Sequence, residues 1–198
     1  MEKAPLSVRE RALDLSKRLA ATDSDLSHQI VYRELRGRTV SATQGTITDN
    51  YRDTFTRCYI KQLRVSELAL GEGVIERGDL LFHLSEDKLT PRSEEDDIYL
   101  DQYHWGAISI NRNATRLTGS SVNWSVIEPD DRLRLAAQGT FHRIASVINT
   151  AGTMVLSEAY GNATLTAATY RIYRPYQVIG WDRAYNQSEW VIQGRRVG

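Results

Sequence analysis

Hydrophobic and polar residues alternate in two segments that flank a glycine-containing stretch. In residues 55–63, Cys58 and Ile60 fall on one face, whereas charged and aromatic residues fall on the other. Residues 79–84 repeat this pattern, with Phe82 and Leu84 sharing a face. A period of two residues is typical of a strand with one buried side. We therefore predict two strands, and we expect Cys58 to be a small core residue.

The stretch between these strands, residues 65–78, is long for a hairpin connection. Long connections without secondary structure of their own are usually either functional or mobile. This one holds too many apolar residues for a solvated turn, and its glycines interrupt them too often for a buried helix. We expect it to become ordered against a partner surface or a channel lumen. The candidate site consists of its apolar and glycine positions, Val65, Leu68, Leu70, Gly71, Gly73, Val74, Ile75 and Gly78.

The N-terminal residues 6–19 show helical spacing instead. Ser7 precedes Glu10 by three positions, as in a capping box, and apolar residues recur along one face. This narrow apolar stripe fits docking on the protein's own domain or on a neighbouring subunit. We predict a helix here, followed by a polar linker that ends near residue 27.

Two further strand-like segments, residues 29–35 and 38–41, precede the first alternating strand. Turn-forming residues follow them, at Gly45 and at the Asp49-Asn50 pair. Such residues commonly end strands. We predict one turn at each place.

Residues 85–97 are polar and end in four consecutive acidic residues. A calcium loop needs alternating ligands and a glycine turn, and neither is present here. We interpret this segment as a solvated loop. Ile98 then begins another alternating strand.

A different composition, rich in Thr, Ser, Asn, Ala and Gly, runs from Tyr103 to Tyr173. Regularly spaced short strands with turn residues between them favour a small β-sandwich or barrel. After Pro175 the earlier pattern returns in YQVIGWD and EWVIQGRR, with a turn around Asn186. The predicted strands of the middle segment are residues 108–111, 116–117, 132–136, 141–147, 154–157 and 170–173.

Charge and cysteine content narrow the class of protein. The 25 basic and 25 acidic residues balance, which gives no general attraction to nucleic acid or to an anionic membrane. A single cysteine excludes an internal disulfide framework and a zinc site built from cysteines. No apolar run approaches the roughly 20 residues of a membrane helix, and the N-terminus lacks the apolar region of a secretion signal. We expect the protein to be made in the cytoplasm.

Catalytic and metal-binding motifs are absent from the sequence. The four histidines are scattered, and no nucleophile elbow, H-E-x-x-H motif or phosphate loop occurs. Glu72 and Glu76 allow the hypothesis of a two-carboxylate glycosidase, but loop glutamates are more commonly solvated. The tryptophans allow stacking on sugars or bases, although their alternating context favours core packing. We therefore predict a binding or structural protein, not an enzyme, with no metal or cofactor; the four tryptophans are Trp105, Trp124, Trp181 and Trp190.

The order of these features resembles the head-closure, or stopper, family of tailed bacteriophages. The resemblance rests on the N-terminal helix, the GTITDNY segment, the loop ending in IERGD, the DDIYLD strand and the closing YQVIGWD and EWVIQGRR strands. It covers residues 6–101 and 175–196 and implies a small β-barrel. Residues 103–174 depart from the family pattern, and they resemble a small β-module of phage virion proteins. An insertion at a hairpin tip is compatible with folding, because loop-closure entropy grows slowly with length.

We accordingly expect three parts: a helix and linker (residues 1–27), a discontinuous barrel (28–102 and 175–198), and an inserted β-sandwich or barrel module (103–174). The resemblance implies a homo-oligomeric ring in the virion neck, between the portal-adaptor proteins and the tail terminator or tail tube. It also implies that residues 65–78 project into a channel for DNA and act as a gate. The alternative is a receptor- or carbohydrate-binding virion module with Trp105 and Trp124 as an exposed platform.

Overall fold

The computed structural model describes residues 28–41, 46–62, 79–86, 89–102, 106–136, 138–183 and 189–197. The helix predicted at residues 6–19 lies outside this part of the chain. The described residues are mainly antiparallel β-structure, as predicted. Their strands are β1 (His28–Val40), β2 (Ile47–Gln62), β3 (Leu80–Ser85), β4 (Asp97–Asp101), β5 (Ala107–Ile110), β6 (Arg116–Ser120), β7 (Arg132–Leu135), β8 (Phe141–Ile148), β9 (Thr153–Leu156), β10 (Leu165–Ala168), β11 (Tyr170–Arg183) and β12 (Glu189–Arg196). A short 3-10 helix, Asn149–Ala151, precedes β9.

The chain forms two compact units. The first contains Met1–Tyr99 and Tyr176–Arg196, and the second contains Leu100–Pro175 and Val197–Gly198. The boundaries fall within strands β4 and β11, so each of these strands contributes residues to both units. That the second unit is an inserted module remains a prediction.

In the first unit the strands are neighbours in the order β11-β12-β3-β2-β1-β4, and β4 also pairs with β11. The pairing of β4 with β11 was predicted from their alternation, and it is confirmed. Val178 N donates to Asp96 O at 3.0 Å beside this pair. Alternation places one side of each strand in the core, which contains Ile30, Tyr32, Cys58, Phe82, Leu84, Ile98, Val178 and Ile192.

The β1–β2 hairpin corrects two predictions. β1 is continuous from His28 to Val40, and the predicted turn at Asp49-Asn50 is wrong because both residues belong to β2. Asp49 lies opposite Arg38, and the Asn50 side chain donates to Thr39 Oγ1 at 2.9 Å. These cross-strand partners outweigh the local turn preference of the pair.

In the second unit the strands follow the order β10-β5-β6-β9-β8-β7-β11. Strand β10 was not predicted, because its sequence LTAA lacks alternation, and its pairing with β5 is interrupted by a register shift. The core of this unit is one apolar cluster: Ile108, Ile110, Leu117, Trp124, Ile127, Leu133, Leu135, Ile144, Met154, Leu156, Tyr160, Tyr170 and Ile172.

Candidate functional site

The predicted gate lies outside the described residues, and so do all eight of its named positions. The structure does describe where the connection leaves β2 and where the chain enters β3. Gln62 is the last residue of β2 and lies opposite Leu80, the first residue of β3. Leu80 also lies opposite Gly194 of β12. Three neighbouring strands therefore hold the two ends of the connection side by side.

Asp79 fixes the entry into β3. Its side chain is almost fully buried. Arg195 donates to both carboxylate oxygens, from Nε to Oδ1 and from a terminal nitrogen to Oδ2, each at 3.2 Å. Gln193 Nε2 donates to Oδ2 at 3.1 Å. Because a buried carboxylate is stable only when paired and hydrogen-bonded, these contacts tie the end of the connection to β12.

We call the contacts of Asp79 with Arg195 and Gln193 the Asp79–Arg195 clamp. Between these two β12 residues, the packing requires a glycine at position 194. A Cβ atom at position 194 would lie 2.7 Å from Phe82 Cε2 and 3.1 Å from Tyr176 Cβ. The rings of Phe82 and Tyr176 meet edge to face, with centroids 5.4 Å apart. The β12 backbone between Gln193 and Arg195 therefore packs closely against the rings of Phe82 and Tyr176.

A histidine–glutamate pair, with the glutamate buried and the histidine partly buried, links β3 and β12. His83 Nδ1 is 3.0 Å from Glu189 Oε1, and the Glu189 side chain is only 1% exposed. The imidazole also contacts the ring of Tyr59, with centroids 5.7 Å apart. His83 Nε2 and Glu189 Oε2 are buried and have no hydrogen-bond partner among the residues that the structure describes. The Glu189 carboxylate holds the imidazole of His83 in place across the two strands.

Asp96 shows that the solvated-loop interpretation of residues 85–97 is wrong at this position. Its side chain is fully buried. The Tyr32 hydroxyl donates to Oδ2 at 2.6 Å, Leu35 N donates to Oδ1 at 2.8 Å, and Ser93 N donates to Oδ2 at 3.2 Å. Burial and the neighbouring carboxylate raise the pKa of the Tyr32 phenol. Asp96 thus anchors the segment before β4 to β1, whereas Glu94 and Glu95 are exposed.

These polar clusters were missed because their partners are far apart in sequence. His83 and Glu189 are separated by 106 positions, and Arg195 and Asp79 by 116. The local signals available were a histidine on the polar face of β3 and an acidic residue at the start of β12. Neither signal identifies the partner residue.

The tryptophan platform of the alternative hypothesis is not supported at Trp124. This side chain is buried in the core of the second unit, and its Nε1 donates to the Tyr170 hydroxyl at 2.8 Å. Burial raises the pKa of Tyr170. The expected core packing is confirmed for Trp124, whereas Trp105 lies outside the described residues. Trp181 and Trp190 are half-buried.

Cys58 is the one remaining candidate residue from the sequence analysis that lies within the described part of the chain. Cys58 is a buried core residue, as predicted, and burial raises the pKa of its thiol. Glu72 and Glu76 lie outside the described part of the chain. Within that part, no three His, Cys, Asp or Glu side chains form a group that could hold a metal ion. No helix there is long and apolar enough to span a membrane.

Fold and site together define a mainly antiparallel β-protein with buried carboxylates at strand entries. No protein-family model matches the chain, and a comparison with curated proteins gives no match.

Proposed function

We propose that this protein is a structural component of the neck of a tailed bacteriophage. In this proposal it forms a ring of identical subunits in the virion, between the portal-adaptor proteins and the tail terminator or tail tube. The ring helps to retain or pass the packaged DNA without reading its sequence. The protein is not an enzyme and needs no cofactor for this role.

The observation that carries the proposal is the cycle of strand pairings in the first unit. The order β11-β12-β3-β2-β1-β4 with a return from β4 to β11 supports a small barrel. A closed barrel leaves no free sheet edge along the paired strands. Its connections can then vary in sequence without exposing the sheet.

The base of the β2–β3 connection supports a mechanical role for residues 65–78. A gate needs fixed ends, because motion of the segment must not disturb the barrel. The Asp79–Arg195 clamp and the pairing of Gln62 with Leu80 supply such ends. We infer that the apolar residues of the connection close the channel and that Gly71 and Gly73 are hinges.

In this proposal each chain contacts its two neighbours in the ring through two different surfaces. Heterologous contacts of this type close into a ring when the rotation between subunits allows it. The receptor-binding alternative loses support, because Trp124 is in the core and cannot form an exposed platform.

Localisation in particles tests the proposal. Antibodies raised against the purified chain should label the junction of head and tail in particles produced from the genome that encodes it. Labelling restricted to the capsid shell or to tail fibres would contradict the neck assignment, as would particles that contain no copy of the chain.

The gate has a separate test. Changing Gly71 and Gly73 to alanine should restrict the backbone by about 0.5–1 kcal/mol at each position, while the barrel still folds. Particles built with this variant should assemble necks but leak or block DNA. The matched control changes Gly139 and Gly161 to alanine, where an added Cβ meets nothing within 4 Å. Normal retention and ejection of DNA by the Gly71/Gly73 variant would show that the segment is only a connector.

A further inference from the structure

The distal part of the β1–β2 hairpin projects as an arm, which we define as residues 36–40 and 46–50. Every residue of this β-arm is exposed. From Gly37 onward its two strands pair in register, with Val40 opposite Ile47 and Thr39 opposite Thr48, and a register shift at Arg36 marks the start of the β-arm. Ser41 N donates to Thr46 O at 2.9 Å beyond the last pair. The β-arm is thus a well-formed ribbon whose two faces both meet solvent.

A ribbon of this kind is poorly stabilised by itself. Two strands in water are marginally stable, and apolar side chains on an exposed ribbon promote association. Val40 is 65% exposed and Ile47 is 66% exposed, the two largest exposures among the large hydrophobic residues of the described chain. Because these two residues face each other across the strands, they form one apolar patch near the end of the β-arm. Covering this patch would stabilise the ribbon.

The exposed charges of the β-arm and of the adjoining residue Arg52 are predominantly positive. Arg36, Arg38 and Arg52 are exposed, against a single exposed acidic residue, Asp49. Arg38 pairs with Asp49 at 3.0 Å and reaches Glu95 at 3.2 Å. An arginine of the β-arm is thus already paired with the acidic segment that precedes β4.

Two exposed charged side chains near the β-arm, Arg52 and Glu94, form no ion pair with the described residues. Arg52 lies opposite Glu34 in the hairpin, but Glu34 pairs with Arg36 at 2.9 Å and with Arg92 at 3.4 Å. Within the described ranges Arg52 therefore forms no ion pair. The exposed carboxylate of Glu94, beside Glu95, has no ion-pair partner there either. The described part of a single copy thus offers one basic and one acidic side chain that form no ion pair with each other or with the rest of that part.

We propose that the β-arm docks on a second copy of this chain, with Arg52 facing the Glu94 carboxylate of that copy. In the proposed ring this contact is heterologous: each copy gives its β-arm to one neighbour and its acidic segment to the other. Charge complementarity sets the direction of docking, and the Val40–Ile47 patch supplies the apolar area that docking covers. The inference rests on the proposed ring and names the surface through which its subunits join.

Charge reversal tests the polar half of this contact. Arg52→Glu and Glu94→Arg should each weaken self-association, measured by sedimentation at high protein concentration, by about twofold to fivefold, the range of an exposed ion pair. The double variant Arg52→Glu/Glu94→Arg should recover the original association. Arg116→Glu, an exposed change in the second unit, is the matched control and should have no effect.

Cysteine cross-linking tests the geometry. Chains with Arg52→Cys should form mixed disulfides with chains carrying Glu94→Cys, because a disulfide needs Cα atoms within about 7 Å. Cys58 should not compete, since it is fully buried. Exclusive formation of Arg52→Cys homodimers would overturn the heterologous arrangement. An absence of mixed disulfides at millimolar concentration would overturn the docking surface itself.

Truncating the apolar patch gives an independent readout. Val40→Ser together with Ile47→Ser should reduce self-association and leave thermal unfolding unchanged, because both side chains are exposed. Ile148→Ser, at a position 46% exposed in the second unit, is the control. Patch variants that associate normally but lose binding to duplex DNA would overturn the proposal in favour of a nucleic-acid contact.

These outcomes are separable from the test of function. If antibodies label the neck while charge reversal and cross-linking both fail, the docking proposal is wrong and the neck assignment stands. If mixed disulfides form but no virion contains the chain, the docking surface is correct and the neck assignment is wrong.

Discussion

Replacing Tyr32 by phenylalanine removes one hydroxyl from the core of the first unit and keeps the ring in place. The hydroxyl donates at 2.6 Å to Asp96, which retains its two backbone donors, Leu35 N and Ser93 N, and it also has a hydrogen bond with the backbone of Arg92. Hydrogen bonds to charged groups contribute about 1.5–3 kcal/mol, so we expect the free energy of unfolding to fall by that amount. Chemical denaturation followed by circular dichroism measures the change.

The expected loss of unfolding free energy in Tyr32→Phe comes from the hydrogen bond between Tyr32 and Asp96. A double-mutant cycle measures the contribution of this pair. Asp96→Ala should be more harmful, because it leaves the Tyr32 hydroxyl and two backbone N–H groups without their acceptor. The double variant should cost less than the sum of the two single variants by about 0.5–3 kcal/mol, as expected for residues in direct contact. Tyr59→Phe is the control, since this hydroxyl makes no hydrogen bond with the described residues. It should change stability by less than about 0.5 kcal/mol.

The effect of Tyr32→Phe on stability should also depend on pH in the alkaline range. Burial raises the pKa of Tyr32 above its ordinary value of 10.0, so the folded state keeps the phenol protonated where the unfolded state loses its proton. This contribution is complete below pH 10 and is lost as the pH rises further. The stability advantage of the natural protein over Tyr32→Phe should therefore shrink by about 1 kcal/mol between pH 10 and pH 11. An advantage that stays constant over this interval, or additive effects in the cycle with Asp96, would refute the assigned contact.

Three further perturbations test the packing and the division of the chain. Gly194→Ala should lower the free energy of unfolding by about 1–3 kcal/mol through overpacking, whereas Gly180→Ala, with nothing within 4 Å of the new Cβ, should be tolerated. Tyr170→Phe should cost about 1–3 kcal/mol in chemical denaturation, because it removes the acceptor of the buried Trp124 N–H, and an unchanged midpoint would reject that hydrogen bond. Replacing residues 103–174 by a short glycine-containing turn should leave a soluble, β-rich protein by circular dichroism; aggregation would show that both segments share one core.

Alternation identified strands wherever one face is buried and the other is polar. Cys58, Phe82 and Leu84 followed this rule, and their burial could be predicted from spacing alone. The rule failed where local and long-range preferences differ. Asp49 and Asn50 have strong turn preferences, but their partners on β1 hold them in a ladder. Propensity describes a residue's neighbours in sequence, whereas a ladder depends on neighbours in space.

The candidate site could be predicted less well, for a related reason. The composition of residues 65–78 indicated a functional connection, but it contained no information on what fixes its ends. Arg195 and Gln193 reach Asp79 only after β12 has paired with β3. Their positions in the sequence show alternation and charge, and neither property specifies a partner more than a hundred residues away.

The buried carboxylates of the first unit determine the strand register, which alternation alone does not specify. A strand that slips by one residue exposes its apolar face, but a slip of two residues restores the same faces, so alternation does not distinguish these registers. Asp79 and Glu189 stand just before β3 and at the start of β12, and Asp96 stands just before β4. Each is held by a directional contact to a side chain on another strand. Because a two-residue slip would leave a buried carboxylate without its partner, these contacts select one register. The strands of the first unit can then keep their alignment whatever conformation the connections between them adopt, which is the property that a gate within one of those connections would require.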